Sequence, residues 1–238
     1  ATVLGAGAAL MDYAERRMRA GIAAIPDGVY RFDDVHDSPE VAEDLPLSVE
    51  ITIAGDAMRL RFDGPPQVRA GINMTRTALL ATVYYAVKAV VDPGLPPNAG
   101  LARPLTVTAT EGSVLSCRAP AAVNARLSTC QRVADLILGA LAQAVPERLT
   151  GAHHGACSVA QFSGYTDQGP WAYLETIGGG FGARATKDGL DGVHVHATNT
   201  SNLPVEALET EYPLTLLSYE LVEGSRGAGT GRSGMGLR

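Results

Sequence analysis

The chain is 238 residues long, with 46% hydrophobic and 18% charged residues, a globular composition with enough apolar material for a sizeable core. A formal net charge of −6 and a pI near 5.4 leave no basic stripe to neutralise phosphates, which argues against a nucleic-acid partner. No run approaches the roughly 18 uninterrupted apolar residues of a membrane span. Cys117, Cys130 and Cys157 are odd in number and lack a CxxC spacing, so neither a disulfide framework nor a zinc knuckle is suggested, and a cytoplasmic, reducing location fits best.

The apolar opening ATVLGAGAAL has no basic region of the kind that starts a secretory signal. The glycine-rich SRGAGTGRSGMGLR at the other end reads as a lead into another strand. Both termini are therefore expected to be cuts in a longer chain. Asp12 and Glu15 form a capping-box start, and Ala14, Met18, Ile22 and Ile25 recur at helical spacing until Pro26-Asp27-Gly28. Leu47, Val49, Ile51 and Ile53 alternate with polar residues, and Met58, Leu60 and Phe62 resume the pattern after Gly55-Asp56, which predicts a hairpin. A second helix is predicted over 75–91, with a wide apolar face that ends before Pro93-Gly94. Leu105, Val107 and Ala109 predict a short strand, and Ser128 with Gln131 is read as the start of a third helix running to Pro146. From Gly151 the texture changes to glycine turns and short strands, predicted at 171–177, 193–198 and 214–222. Hairpin signals beside helices, without a regular βαβ rhythm, predict an α+β fold of mixed helices and mostly antiparallel strands. Residues 1–150 form its helix-rich part and 151–238 its glycine-rich strand part.

The segment YLETIGGGFGARATKDGLDGVHVHATNTSNLPVEALETEYPL, from Tyr173 to Leu214, resembles the hydantoinase B and oxoprolinase family. RMRAGIAAIPDGVYRFDD, PPNAGLARPLTV, EGSVLS and QRVADLILGALAQAVPERL look like the same family in the same order, so the resemblance covers the whole chain. It implies a partial domain of a larger subunit, whose missing amino-terminal half carries an NDP segment and a histidine-rich stretch suited to a divalent metal. It also implies a hydantoinase A-type partner subunit that binds ATP and Mg, and a small cyclic amide substrate such as hydantoin, 5-oxoproline or a lactam. Phosphorylating the oxygen of a resonance-stabilised amide makes a leaving group and a more electrophilic carbon, so ring opening can follow. Related members also include ATP-dependent ketone carboxylases, and a non-catalytic scaffold role for this region is the contrasting possibility. The sequence departs from the family at Ser225-Arg226-Gly227 and Arg232-Ser233-Gly234, where SGG and RGG are usual.

Several residues are candidates for chemistry. Gly178, Gly179, Gly180 and Gly182 follow a predicted strand; Gly179 and Gly180 either present N–H groups to a substrate or phosphate, or simply allow close backbone packing. The spacing is not GxGxxG, and no lysine stands where a phosphate loop would place it. His194 and His196, two apart on a predicted strand, would project from one face at a separation that two imidazoles of one metal site can use, or else form part of a solvated face or a structural hydrogen-bond network. His196, Asp188 and Asn199 are the candidate catalytic set, with Asp191 a second nearby carboxylate. Asn199, Asn202 and Glu206 either orient an amide substrate or fix the turn before Pro204. Glu206, Glu209 and Glu211 read as a solvated acidic run. His153 and His154 point apart in an extended chain, so their loop is read as an exposed contact surface between subunits rather than a joint ligand pair.

Overall fold

A computed structural model describes residues 2–228, 231–232 and 234–237. Ser233, one of the departures noted above, lies outside them. The chain divides into two compact units, Ala1–Leu149 and Thr150–Arg238.

The first unit is built on a four-stranded sheet of order β1-β2-β3-β4, comprising Gly28–His36, Leu45–Ala54, Ala57–Asp63 and Leu105–Ala109. The first three strands run antiparallel, and β4 pairs parallel to β3. A parallel neighbour needs a crossover, and α2 (Arg76–Val91) lies in that connection. In β2, Leu45, Leu47, Val49, Ile51 and Ile53 are buried while their neighbours face outward. The register sets Val49 against Phe62, Ile51 against Leu60 and Ile53 against Met58, so one sheet face is continuously apolar. Gly55 makes the intervening turn at φ 59°, and its N–H donates to Asp27 Oδ1 at 2.9 Å. Helix α3 (Arg126–Leu141) buries Val133, Ala134, Leu136, Ile137, Ala140 and Leu141 in the same core.

Three boundaries differ from the sequence expectation. Helix α1 spans Val3–Ala23 and is capped by Thr2, whose hydroxyl accepts from Gly5 N–H at 3.2 Å. Its first turns are exposed, so no apolar period marks them; Asp12 and Glu15, the expected cap, instead both pair with Arg103. Helix α3 starts at Arg126, before Ser128, with no side-chain cap, and ends at Leu141 rather than at Pro146. Strand β1 is absent from the sequence expectation, because its inward face, Gly28, Tyr30, Phe32, Asp34 and His36, is only partly buried and not uniformly apolar, and Asp33-Asp34 interrupt any alternation.

The second unit contains an antiparallel hairpin, β5 (Ser158–Thr166) and β6 (Gly169–Ile177), and a short helix, α4 (Val205–Glu211). Neither β5 nor α4 is among the elements that the sequence predicts. The acidic residues of α4 lie on a helix that starts directly after Pro204, whose fixed φ suits a helix entry. The strands predicted at 193–198 and 214–222 do not form. Only isolated bridges occur there, Gly179 with Val193 and Leu221 with Leu237, and His196 turns the backbone left-handed at φ 48°. The fold is α+β, as the sequence implies, with one parallel strand pair in an otherwise antiparallel set. No helix among the described residues is long and apolar enough to cross a membrane.

Candidate functional site

The glycine strap after β6 is the part of the second unit into which the histidines fold. Gly178 follows directly on the last residue of β6, and Gly179 exchanges both backbone hydrogen bonds with Val193. The N–H of Phe181 donates to Leu190 O, and Gly234 N–H donates to Phe181 O, each at 2.9 Å. A Cβ on Gly180 would sit 2.1 Å from Gly234 O, and one on Gly179 would sit 2.4 Å from the His154 ring. These glycines let two backbone segments and an imidazole approach closely. The N–H of Gly179 is taken by Val193, so at that residue the backbone-packing alternative accounts for the glycine and the anion-binding one does not.

His153 joins this strap. Its Nδ1 accepts from Gly182 N–H at 2.9 Å, and its Nε2 lies 3.3 Å from Thr150 Oγ1. Accepting at Nδ1 places the proton of the neutral ring on Nε2, facing the threonine oxygen. The ring also lies 4.1 Å from Phe181 and edge-on to His196, with 4.6 Å between the two imidazole centroids. His154 donates its backbone N–H to Gly180 O at 3.1 Å, and its Nδ1 is buried with no hydrogen-bond partner. Burial pushes the His154 ring below its ordinary pKa, and nearby His194 and His196 act in the same direction. His153 and His154 are therefore not a detached exposed loop: each is half-buried against the glycine strap. Their juxtaposition with Gly179, Gly180, Gly182 and His196, far along the chain, carries no sequence signal.

His194 and His196 do not share a strand face, because the segment turns at His196. His196 is the only non-glycine residue with positive φ among those described. Within residues 150–238 no three described metal-binding side chains converge on one point, and His153 cannot ligate through Nδ1 while it holds Gly182.

The two aspartates tie down the carboxy-terminal segment. Asp188 accepts from Arg232 N–H at 2.9 Å and pairs with its guanidinium, and these contacts hold its carboxyl below the ordinary range, the backbone bond foremost. Asp191 accepts from Met235 N–H at 2.6 Å and pairs with Arg226 at 2.7 Å. Asp188, a catalytic candidate in the sequence, has its carboxylate engaged in positioning backbone. Asn199 is exposed. Asn202 donates to Thr176 O at 3.2 Å and accepts from Tyr219 O–H at 3.0 Å, so it pins its turn to β6 and faces a cavity.

The hydantoinase B/oxoprolinase family model matches residues 1–238. The chain is 35% identical to a putative D-/L-hydantoinase B-type subunit from Pseudomonas sp. (strain NS671), over 99% of this chain and 42% of that protein. It is 34% identical to 5-oxoprolinase 1 of Arabidopsis thaliana, over 80% of this chain and 15% of that one. The crystal structure of an ATP-dependent caprolactamase from Pseudomonas jessenii superposes with a TM-score of 0.82 at 28% identity, covering 95% of this chain and 41% of that one. The chain thus spans less than half the length of these relatives. The family match along its entire length, together with the same fold in a solved relative, places this chain in the hydantoinase B/oxoprolinase family.

Proposed function

We propose that the chain is part of the B-type subunit of an ATP-dependent hydrolase that opens cyclic amides such as hydantoin, 5-oxoproline or a lactam. The observation that carries the reading is its relatives: a hydantoinase subunit, a 5-oxoprolinase and a caprolactamase are all named for opening such a ring. In this reading ATP and Mg act on an A-type partner subunit, and a divalent metal belongs to the portion of the relatives that this chain does not span. The chain's own glycine strap has no phosphate-loop lysine, so the isolated polypeptide is expected to be inactive toward both ATP and the ring.

Within the chain, His196 is the residue we assign to proton handling, with His153 as its positioning neighbour. A left-handed backbone costs a non-glycine residue about 1–2 kcal/mol, and such strain is retained where the side chain is needed. The test is made in the complex of the full-length subunit with its A-type partner, by following ATP-dependent opening of hydantoin, 5-oxoproline and caprolactam. The expected result is ring opening coupled to phosphate release for at least one of them. ATP-independent opening, or no turnover of any cyclic amide, would sink the reading. His196→Gly relieves the backbone strain, so it should leave the melting temperature unchanged or higher while the rate drops on the order of a hundredfold. A fall in stability with activity retained per folded molecule would make His196 a structural residue.

A further inference from the structure

The second unit has a half-open cavity of about 460 Å³ between the β5–β6 hairpin, α4 and residues 214–219. That volume falls in the range that small-molecule sites occupy. Phe162, Ile177, Leu208 and Leu214 are among its apolar lining residues, and Tyr173, Glu175, Asn202 and Tyr219 form a polar end, since Tyr173 O–H and Leu203 N–H donate to Glu175 and Tyr219 bonds to Asn202 beside Leu203. Glu175 stands there with its carboxylate organised by three donors: Tyr173 O–H and Leu203 N–H on Oε2, and Thr176 N–H on Oε1. Burial, with Glu175 beside it, pushes the Tyr173 hydroxyl up to about 12, so it remains a donor at any working pH. A carboxylate offers about four acceptor positions, and among the described residues three donors reach this one. Beside it, the Tyr219 hydroxyl donates to Asn202 Oδ1 and can turn to another acceptor.

We propose that this cavity binds a small neutral cyclic amide, its ring on the apolar wall, its N–H donating to Glu175 and its carbonyl accepting from Tyr219. The inference rests on the cyclic-amide reading of the chain and narrows it. A carboxylate fixed at the polar end discriminates against anionic rings, because a second carboxylate brought beside it meets like charge. Uncharged lactams and hydantoins are therefore the class selected, and 5-oxoproline, which carries a carboxylate, is selected against.

The experiment is an amide-resolved NMR titration of the chain with caprolactam, with 5-oxoproline and with the uncharged primary amide of 5-oxoproline. Caprolactam and the uncharged amide should shift the signals of Glu175, Asn202, Leu203 and Leu208 saturably, whereas 5-oxoproline should not. Glu175→Gln should weaken caprolactam by about tenfold and abolish the difference between 5-oxoproline and its amide. Leu208→Trp, which fills the cavity, should remove binding of both neutral ligands. Shifts that map elsewhere, survive Leu208→Trp, or are equal for the acid and its amide in the unsubstituted chain would overturn the proposal. So would binding of cyclohexanone, which lacks the N–H, with the affinity of caprolactam. Each of these failures leaves intact any ATP-dependent ring opening measured in the assembled enzyme, so the cavity and the activity are judged separately.

Discussion

The two units of this chain are held together by different physics. In the first, the buried apolar cluster runs from Ala14 to Leu149 and draws on the sheet and on α1, α2 and α3. In the second, the buried apolar side chains among the described residues are Tyr173, Val195 and Leu208. Its structure rests instead on glycines in backbone contact, on Asp188 and Asp191 capturing N–H groups and guanidinium ions, and on His153 holding Gly182. Apolar burial is non-directional and tolerates many sequences, whereas hydrogen bonds and close approaches demand a particular backbone path. Candidate chemistry collects in the second unit for that reason: a site requires a network of positioned polar groups, which a smooth core does not supply.

Removing core volume in the first unit should have the largest effect. Leu60 is fully buried on β3, and Leu60→Ala should cost roughly 2–5 kcal/mol, read from the denaturant midpoint. A loss below about 1 kcal/mol would mean that the sheet face does not carry this unit's stability. In the second unit the equivalent blow is steric. Gly180→Ala puts a methyl group against Gly234 O and should cost roughly 1–3 kcal/mol, seen as faster amide exchange over 179–193 and 234–237 with the first unit's exchange unchanged. Equal loss of protection in both units would break the distinction between them.

A smaller local effect belongs to the cap of α2. Thr75→Ala removes the acceptor for Ala78 N–H and should lower stability by about 1 kcal/mol, confined to the first unit's exchange rates. The subtlest test uses pH. Each unit contains a histidine ring nitrogen that is buried without a partner, Nε2 of His36 and Nδ1 of His154, and burial depresses both pKa values below the ordinary 6.5. The folded state thus prefers the neutral rings and the unfolded state binds more protons, so stability is complete above about pH 6.5 and declines as pH falls below it. Exchange measured at about pH 7.5 and about pH 5.5 should show the decline in both units. His36→Asn should flatten it in the first and His154→Asn in the second. A decline that survives both substitutions would assign it to other groups.

Legibility follows the same division. The β2–β3 hairpin and α2 can be read from the sequence because alternation and helical spacing report directly which face is buried. The family too is written in ordered motifs from Arg17 to Leu214. Strand β1 escapes because an edge strand whose inward face is only partly buried and carries Asp34 and His36 shows no apolar period, and α4 escapes because its glutamates point to solvent. His194 and His196 are visible as residues, but their expected strand face does not form, since a single left-handed residue reorients the chain.

Near neighbours and repeating patterns are enough to give the α+β class and the apolar faces of the first unit, and the order of longer motifs carries the resemblance to the family. Only the folded chain brings His153 to His196, clamps the carboxy-terminal segment with Asp188 and Asp191, and sets Glu175 at the polar end of an apolar cavity. Each of those pairings joins groups whose separation in sequence is set by loops, and loop paths follow from hydrogen bonds and glycine contacts that no local period records.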